Sequence, residues 1–257
     1  MGDQLLPSQC CTLPPFTSNY TPTGTYFTIP VPDNNQPDLP VYSAGPSDAT
    51  TVIVGVYDIF SLHQNTLQGV DHLAATYGCR VVLPDLFRGE SWPVDNMPPK
   101  EGPAALTAWV QARGNWEAQI RPALVAVVNK AKEEGAQKLG AYGFCFGAKK
   151  LVQAQPDGLF DAVALIHPSF FVAEDGDAMQ VPSLLVPSSG EDLAIMDGFW
   201  SRVQSKGGVV AEKSIRKDFT DVHHGFASAR SNWADPRLAG RARDCYALMI
   251  RFFKAAL

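Results

Sequence analysis

Among the side chains able to do covalent chemistry, Cys145 has the most telling neighbours. It is the middle residue of Gly143-Phe144-Cys145-Phe146-Gly147, between the apolar run Lys138-Leu139-Gly140-Ala141-Tyr142 and the helix-forming run Ala148-Lys149-Lys150-Leu151-Val152-Gln153-Ala154. Strand, sharp turn and helix form the setting of a nucleophile elbow, here with cysteine where G-x-S-x-G carries serine. The flanking glycines suit a strained turn whose backbone packs too tightly for a Cβ. A buried structural cysteine beside a glycine turn fits these five residues equally well, so the partners decide. A thiolate nucleophile needs a base to take its proton and an acid group to orient that base.

Five histidines compete for the role of base: His63, His72, His167, His223 and His224. His224 precedes Gly225-Phe226 in a polar loop between the last expected strand and the closing helix. The glycine suits a tight loop that exposes the ring, so His224 is preferred over its neighbour His223. His72 lies within a helical pattern. His167 ends a strand before Pro168, where it either borders the site or is a satisfied structural residue. In chain order the orienting carboxylate belongs between nucleophile and base. The loop Ser188-Ser189-Gly190-Glu191-Asp192 offers it at a strand end. Asp192 is the first choice and Glu191 the second, and either could instead complement a helix dipole. Oxyanion donors are expected from the backbone N–H of Phe146, opening the helix, and of Ile59, in the loop after Tyr57.

These residues need a sheet to carry them. Thr51–Tyr57, Arg80–Pro84, Lys138–Tyr142, Ala162–Ile166 and Pro182–Val186 are short apolar runs, as strands covered on both faces should be. A further strand is expected over Ala211–Asp218, and an edge hairpin over Tyr26–Val31 and Pro40–Ser43, with turn chemistry at Asp33-Asn34-Asn35. Helical spacing runs over Asn65–Tyr77, residues 104–113 and 116–134, Leu193–Ser205 and Pro236–Ala256. Alternation of this kind implies an α/β fold: a mostly parallel sheet of about eight strands with helices on both faces. Residues 1–24, rich in Pro, Thr and Ser, are expected to form an irregular arm on a single domain spanning 25–257. The Pro-rich stretch Asp85–Pro103 is expected to be a loop or partial lid.

Composition narrows the function. A chain of 257 residues that is 46% apolar can bury a full core. A net charge of −5 without a Lys/Arg cluster argues against nucleic acid and anionic membrane as partners. Neither G-x-G-x-x-G after the first long strand nor G-x-x-x-x-G-K-[ST] occurs, which removes the commonest nucleotide readings. The five cysteines, Cys10-Cys11 among them, lack C-x-x-C spacing, arguing against a disulfide framework or a zinc site. With no signal peptide and no membrane span in view, the expectation is a cytoplasmic enzyme without metal or cofactor, monomeric or homodimeric.

Taken together the motifs resemble the dienelactone hydrolase family. The matching stretches are Asp58-Ile59-Phe60, Leu83-Pro84-Asp85-Leu86-Phe87-Arg88-Gly89, Gly143-Phe144-Cys145-Phe146-Gly147, Gly190-Glu191-Asp192 and His224-Gly225-Phe226, in the family's order over roughly residues 25 to 255. The resemblance implies an α/β-hydrolase fold, a Cys145–His224–Asp192 triad and metal-free hydrolysis of a lactone or related ester. It also implies two roles near the nucleophile. A family glutamate that activates the resting thiol falls at Asp58, one methylene shorter. Arginines that hold a substrate carboxylate fall at Arg88 and at position 228, which is serine here, with Arg230 close by. Trp92 and Phe226 join Arg88 and Arg230 as expected substrate contacts. A non-hydrolytic binding protein, or an isomerase or cyclase using the same pocket, is the alternative function. A glutamine amidotransferase is disfavoured because Phe226 stands where those enzymes carry glutamate.

Overall fold

A computed structural model describes residues 12–32 and 37–257. Cys10, Cys11 and the expected turn at Asp33-Asn34-Asn35 lie outside the described residues. Eight strands form one sheet: β1 (Thr25–Ile29), β2 (Leu39–Ala44), β3 (Thr51–Val56), β4 (Arg80–Pro84), β5 (Lys138–Phe144), β6 (Ala162–Ile166), β7 (Ser183–Val186) and β8 (Ile215–Arg216). Their order across the sheet is β1-β2-β4-β3-β5-β6-β7-β8. β2 pairs antiparallel with both β1 and β4, and every later pair is parallel. The sheet is therefore mixed, with its antiparallel part confined to one edge. The apolar, β-branched runs at β3, β4, β6 and β7 are buried almost throughout, as strands covered on both faces should be.

The helices are α1 (Gln64–Tyr77), α2 (Pro103–Arg113), α3 (Arg121–Glu133), α4 (Phe146–Gln153), α5 (Asp175–Ala178), α6 (Leu193–Ser205), α7 (Gly208–Lys213) and α8 (Pro236–Ala256). Local chemistry sets their ends. Asp235 caps α8 by accepting from Leu238 N, with Pro236 in its first turn, and the left-handed Gly78 (φ 74°) closes α1.

Two expectations are revised. Most of Ala211–Asp218 is not strand: Gly207 and Gly208, both at positive φ, turn the chain into α7, and only Ile215–Arg216 pairs with β7. Ala211-Glu212-Lys213 are helix formers, and that preference wins at an exposed sheet edge. The expected helix over 116–134 opens with one wide turn, in which Ile120 N donates to Asn115 O at 3.0 Å, before regular α3 begins.

The stretch between β4 and α2 is largely irregular, with one 3₁₀ turn at Val94–Asn96. Arm residues 12–24 run over the domain and are tied down at Asp71 of α1. Its carboxylate accepts from Tyr20 Oη, Thr23 N, Thr23 Oγ1 and Tyr42 Oη at 2.5–2.9 Å.

Candidate active site

The carboxyl ends of β3, β5, β6 and β7, with the loop between β8 and α8, carry the chemistry-bearing residues, as open α/β sheets favour. Cys145 ends β5 and begins α4 with φ 57° and ψ −120°, a strained conformation for a residue with a Cβ. The glycines on either side are obligatory. A Cβ on Gly143 would sit 2.5 Å from Ala148 N, and one on Gly147 would sit 2.8 Å from Tyr57 O and nearer still to Val56 O. Close approach of α4 to β3 thus leaves room for no side chain at either glycine, and Phe146 takes the first helical position, where a backbone N–H has no partner within the helix.

The elbow is held from β6. Cys145 N donates to Ile166 O at 3.2 Å, and Ser169 N donates to Cys145 O at 3.1 Å. The Cys145 sulfur lies 3.2 Å from Ser169 Oγ. Both are buried.

His224 is buried, and its Nδ1 meets Glu191 Oε1 at 2.6 Å. With a carboxylate as partner, Nδ1 carries the proton and Nε2 the lone pair. Glu191 is itself anchored, accepting from Ser188 N on one oxygen and from Ser188 Oγ at 3.1 Å on the other. Asp192, the acid preferred from sequence, does something else. It is exposed and caps α6, its Oδ1 accepting from Ala194 N at 2.8 Å and Ile195 N at 3.4 Å. The structure brings Glu191, not Asp192, to the histidine. The reason is local: the residue immediately before Leu193–Ser205 takes the N-cap position, while the preceding residue folds back over the Ser188-Ser189-Gly190 turn. The signal was present, since Asp followed by a helical pattern is a cap signature.

His224 itself is placed by what surrounds it. Gly225 (φ 86°) follows, and the Arg230 stem packs so closely that a Cβ there would lie 3.1 Å from Arg230 Cδ. The His167 ring lies 4.9 Å from that of His224, edge to face, and is stacked at 5.3 Å on Phe144 from the elbow strand. Phe226 stacks on Phe219 at 5.3 Å and meets the His167 edge at 5.8 Å. Phe226 is buried between these two rings. His223 turns its Nδ1 back to His224 O at 3.0 Å. His167 is wholly buried at φ 37°, and both ring nitrogens lack a hydrogen-bond partner among the described residues. Burial first, then the adjacent His224, holds it well below the ordinary histidine pKa, so it stays neutral.

The loop after β3 carries Asp58 and Ile59. Asp58 Oδ1 accepts from Phe60 N at 2.9 Å, and Oδ2 accepts from Ser228 Oγ at 2.6 Å and Ala229 N at 3.2 Å. The carboxylate thus ties the β3 loop to the β8–α8 loop. The Asp58 carbonyl accepts from Ser61 N at 3.1 Å, and the Ile59 carbonyl accepts from Trp92 N at 2.9 Å. Each peptide plane in the turn is thereby set, including the one that bears the Ile59 N–H.

Trp92 acts through that backbone bond and through its ring, edge-on to Trp109 at 5.6 Å in an aromatic cluster with Phe87, Tyr57 and Phe146. Asp85 joins the loops after β3 and β4, accepting from Tyr57 Oη, Ser61 Oγ and Gly89 N. Arg88, at φ 49°, donates from Nε to Pro37 O at 3.2 Å, beside the start of β2. Arg230 is buried, donates from Nε to Leu13 O in the arm, and lies 5.0 Å over the Phe60 ring. Sequence reasoning missed Ser169, Ser188 and the structural work of Asp85, because a loop serine or aspartate has no pattern of its own to announce it.

Among the described residues no group of three or more His, Cys, Asp or Glu could hold a metal ion, and no helix is long and apolar enough to cross a membrane. Comparison with known proteins adds the following. The model of the dienelactone hydrolase family matches residues 39–257. An uncharacterized AIM2 family protein of Schizosaccharomyces pombe is 30% identical over 227 residues, covering 85% of this chain and 88% of that one. The hydrolase pyvD of Aspergillus violaceofuscus is 31% identical over 196 residues, covering 74% and 76%. Among solved structures, a dienelactone hydrolase-like promiscuous phosphotriesterase, P91 from metagenomic libraries, superposes with a TM-score of 0.63. It has 14% identity and covers 91% of this chain and 98% of that one.

Proposed function

The chain belongs to the dienelactone hydrolase family and has the α/β-hydrolase fold, and from that premise we propose that it hydrolyses a lactone or related carboxylic ester through a Cys145–His224–Glu191 triad. The observation that carries the reading is the buried 2.6 Å contact of His224 Nδ1 with Glu191, on the loops that surround a strained cysteine elbow. A carboxylate on Nδ1 fixes the tautomer that leaves Nε2 as the basic nitrogen, which is what a general base requires.

His224 Nε2 takes the Cys145 proton, and the thiolate attacks the ester carbonyl carbon. A C–S bond forms, and the carbonyl π pair moves to oxygen, where the N–H groups of Phe146 and Ile59 receive the charge. The oxyanion collapses, the C–O bond to the leaving alcohol breaks, and the alkoxide takes the proton from His224. Water then attacks the thioester carbonyl, giving a proton to Nε2; the C–S bond breaks, the acid product leaves, and the departing thiolate takes the proton back from His224, which regenerates the enzyme. In a lactone the leaving alcohol stays tethered to the acyl group, so hydrolysis opens the ring without releasing a fragment. Arg88 and Arg230 remain the candidate partners for a substrate carboxylate. Arg230 already donates from Nε to the arm carbonyl of Leu13, so a ligand carboxylate there would meet its Nη donors beside the arm.

The test is a panel of lactones, aryl esters and thioesters with the wild-type chain and with Cys145→Ala and His224→Ala. Turnover should fall by about 10⁴- to 10⁶-fold in either variant, and intact mass should show an acyl adduct on Cys145 in the wild type. Undiminished turnover in Cys145→Ala would remove the reading.

A further inference from the structure

The carboxylate at position 58 spends its hydrogen bonds on Phe60 N, Ser228 Oγ and Ala229 N. The described contact of the nucleophile sulfur is instead with Ser169 Oγ, at 3.2 Å. Ser169 also grips the nucleophile through the main chain, its N–H donating to Cys145 O at 3.1 Å. The loop bearing it is costly to build. His167 and Phe170, on either side of Pro168-Ser169, both have positive φ (37° and 61°), which residues with a Cβ rarely adopt. Such strain persists where the surroundings over-determine it, and it clusters at functional sites. Here it places one buried hydroxyl against one sulfur.

We infer that the Ser169 hydroxyl is a further catalytic group, donating its hydrogen bond to the Cys145 sulfur and holding the thiolate both before attack and when the sulfur departs from the thioester. The inference rests on Cys145 being the nucleophile proposed above. A hydroxyl suits the task because it reverses: it accepts from the S–H of the neutral thiol and donates to the thiolate. A donor to the charged form favours that form, and the bond relaxes as the sulfur loses its charge to the carbonyl carbon. The buried titratable and charged groups on the loops around the elbow are Asp58 after β3, Asp85 after β4, His167 after β6, Glu191 after β7, and His224 and Arg230 between β8 and α8, where His223 is half-buried. All are left in place by a change at Ser169.

The experiment needs no substrate. The ionisation of Cys145 is followed in the full chain by thiolate ultraviolet absorbance and by its rate of alkylation with iodoacetamide, across about pH 5 to 10. The Cys145→Ser chain supplies the baseline for the other cysteines. Ser169→Ala should raise the midpoint by about one pH unit, which is about tenfold less thiolate below it. Ser169→Thr should restore the wild-type midpoint, whereas Ser169→Val, isosteric with threonine but without the hydroxyl, should behave as alanine. The Thr and Val pair keeps the comparison if alanine loosens the loop. A midpoint unchanged in both Ala and Val overturns the role of Ser169. His224→Asn distinguishes that failure from failure of the triad. A low midpoint that depends on His224 but not on Ser169 removes only this inference. A midpoint at the ordinary thiol value, indifferent to His224, removes the nucleophile reading and this inference with it.

Discussion

At the scale of single residues, two adjacent acids divide two tasks that the sequence could not divide. Glu191 accepts from a buried histidine, while Asp192 accepts from the first turn of α6 in solvent. Their substitutions should therefore separate. Glu191→Gln should lower kcat by about 10²- to 10⁴-fold, by analogy with the loss of tautomer control in other triads, with little change in Tm. Asp192→Ala should cost about 0.5–2 kcal/mol of stability through the lost cap and leave kcat near wild type. Ester turnover and thermal melting on the two variants check the pair, and equal losses of activity would refute the division. His167 gives a second residue-scale prediction. Its pKa is lowered by burial, so below about pH 6.5 the unfolded chain binds a proton that the native chain does not. Stability is fully present above that pH and is lost as pH falls through it, by up to about 1.4 kcal/mol per pH unit. His63, His72 and His223 are lowered by burial in the same direction. His167→Asn, which tolerates the left-handed backbone, should flatten the slope of denaturation free energy between pH 5 and 6.5 by one histidine's share without abolishing it.

At the scale of elements, the elbow depends on helix α4 lying almost on strand β3. Gly147→Ala would drive a methyl group into the carbonyls of Val56 and Tyr57. The expected cost is about 1–3 kcal/mol, with esterase activity falling further than stability because Phe146 N–H and the Ile59 turn move apart. Denaturant unfolding set against turnover measures both. The elements were legible where burial imposes a pattern: β3, β4, β6 and β7 are apolar runs, and α1 and α8 show helical spacing, the first closed by Gly78 and the second opened by Asp235-Pro236. Legibility failed at the edge beyond β7, where exposed residues 208–213 follow their own helix preference. It failed again in the site wherever a role depends on contact between distant loops. Nothing local in Pro168-Ser169 or Ser188-Ser189 tells that one hydroxyl faces a sulfur and the other the carboxylate of Glu191. The turns that carry Cys145 and His224 were readable because glycines leave a mark in the chain, at 143 and 147 around the cysteine and at 225 after the histidine. Arg88 and Arg230 were readable as arginines, but not as side chains already holding the carbonyls of Pro37 and Leu13.

At the scale of the whole molecule, loops from several strand ends are bound to one another more than to solvent. Asp85 joins the β3 and β4 loops, Ser169 joins β5 to β6, Glu191 joins β7 to the loop before α8, and Asp58 joins that loop to β3. The arm is fastened separately, through Tyr20 and Thr23 on Asp71 and through Leu13 on Arg230. Asp71→Ala should free the second half of the arm, around Tyr20 and Thr23, leaving Tyr42 Oη without its carboxylate and lowering stability by about 1–3 kcal/mol. Proteolysis within residues 12–24 should then quicken, and protection unchanged from wild type would refute the anchoring role. The side chains at positions 58 and 228 touch at 2.6 Å, so the two positions form one unit of packing. Asp58→Glu alone sets a longer acid against the serine, and Ser228→Arg alone sets an arginine against the short acid, in a space filled for neither. The two changes should be non-additive, and thermal melting of both single variants and the double variant measures the coupling.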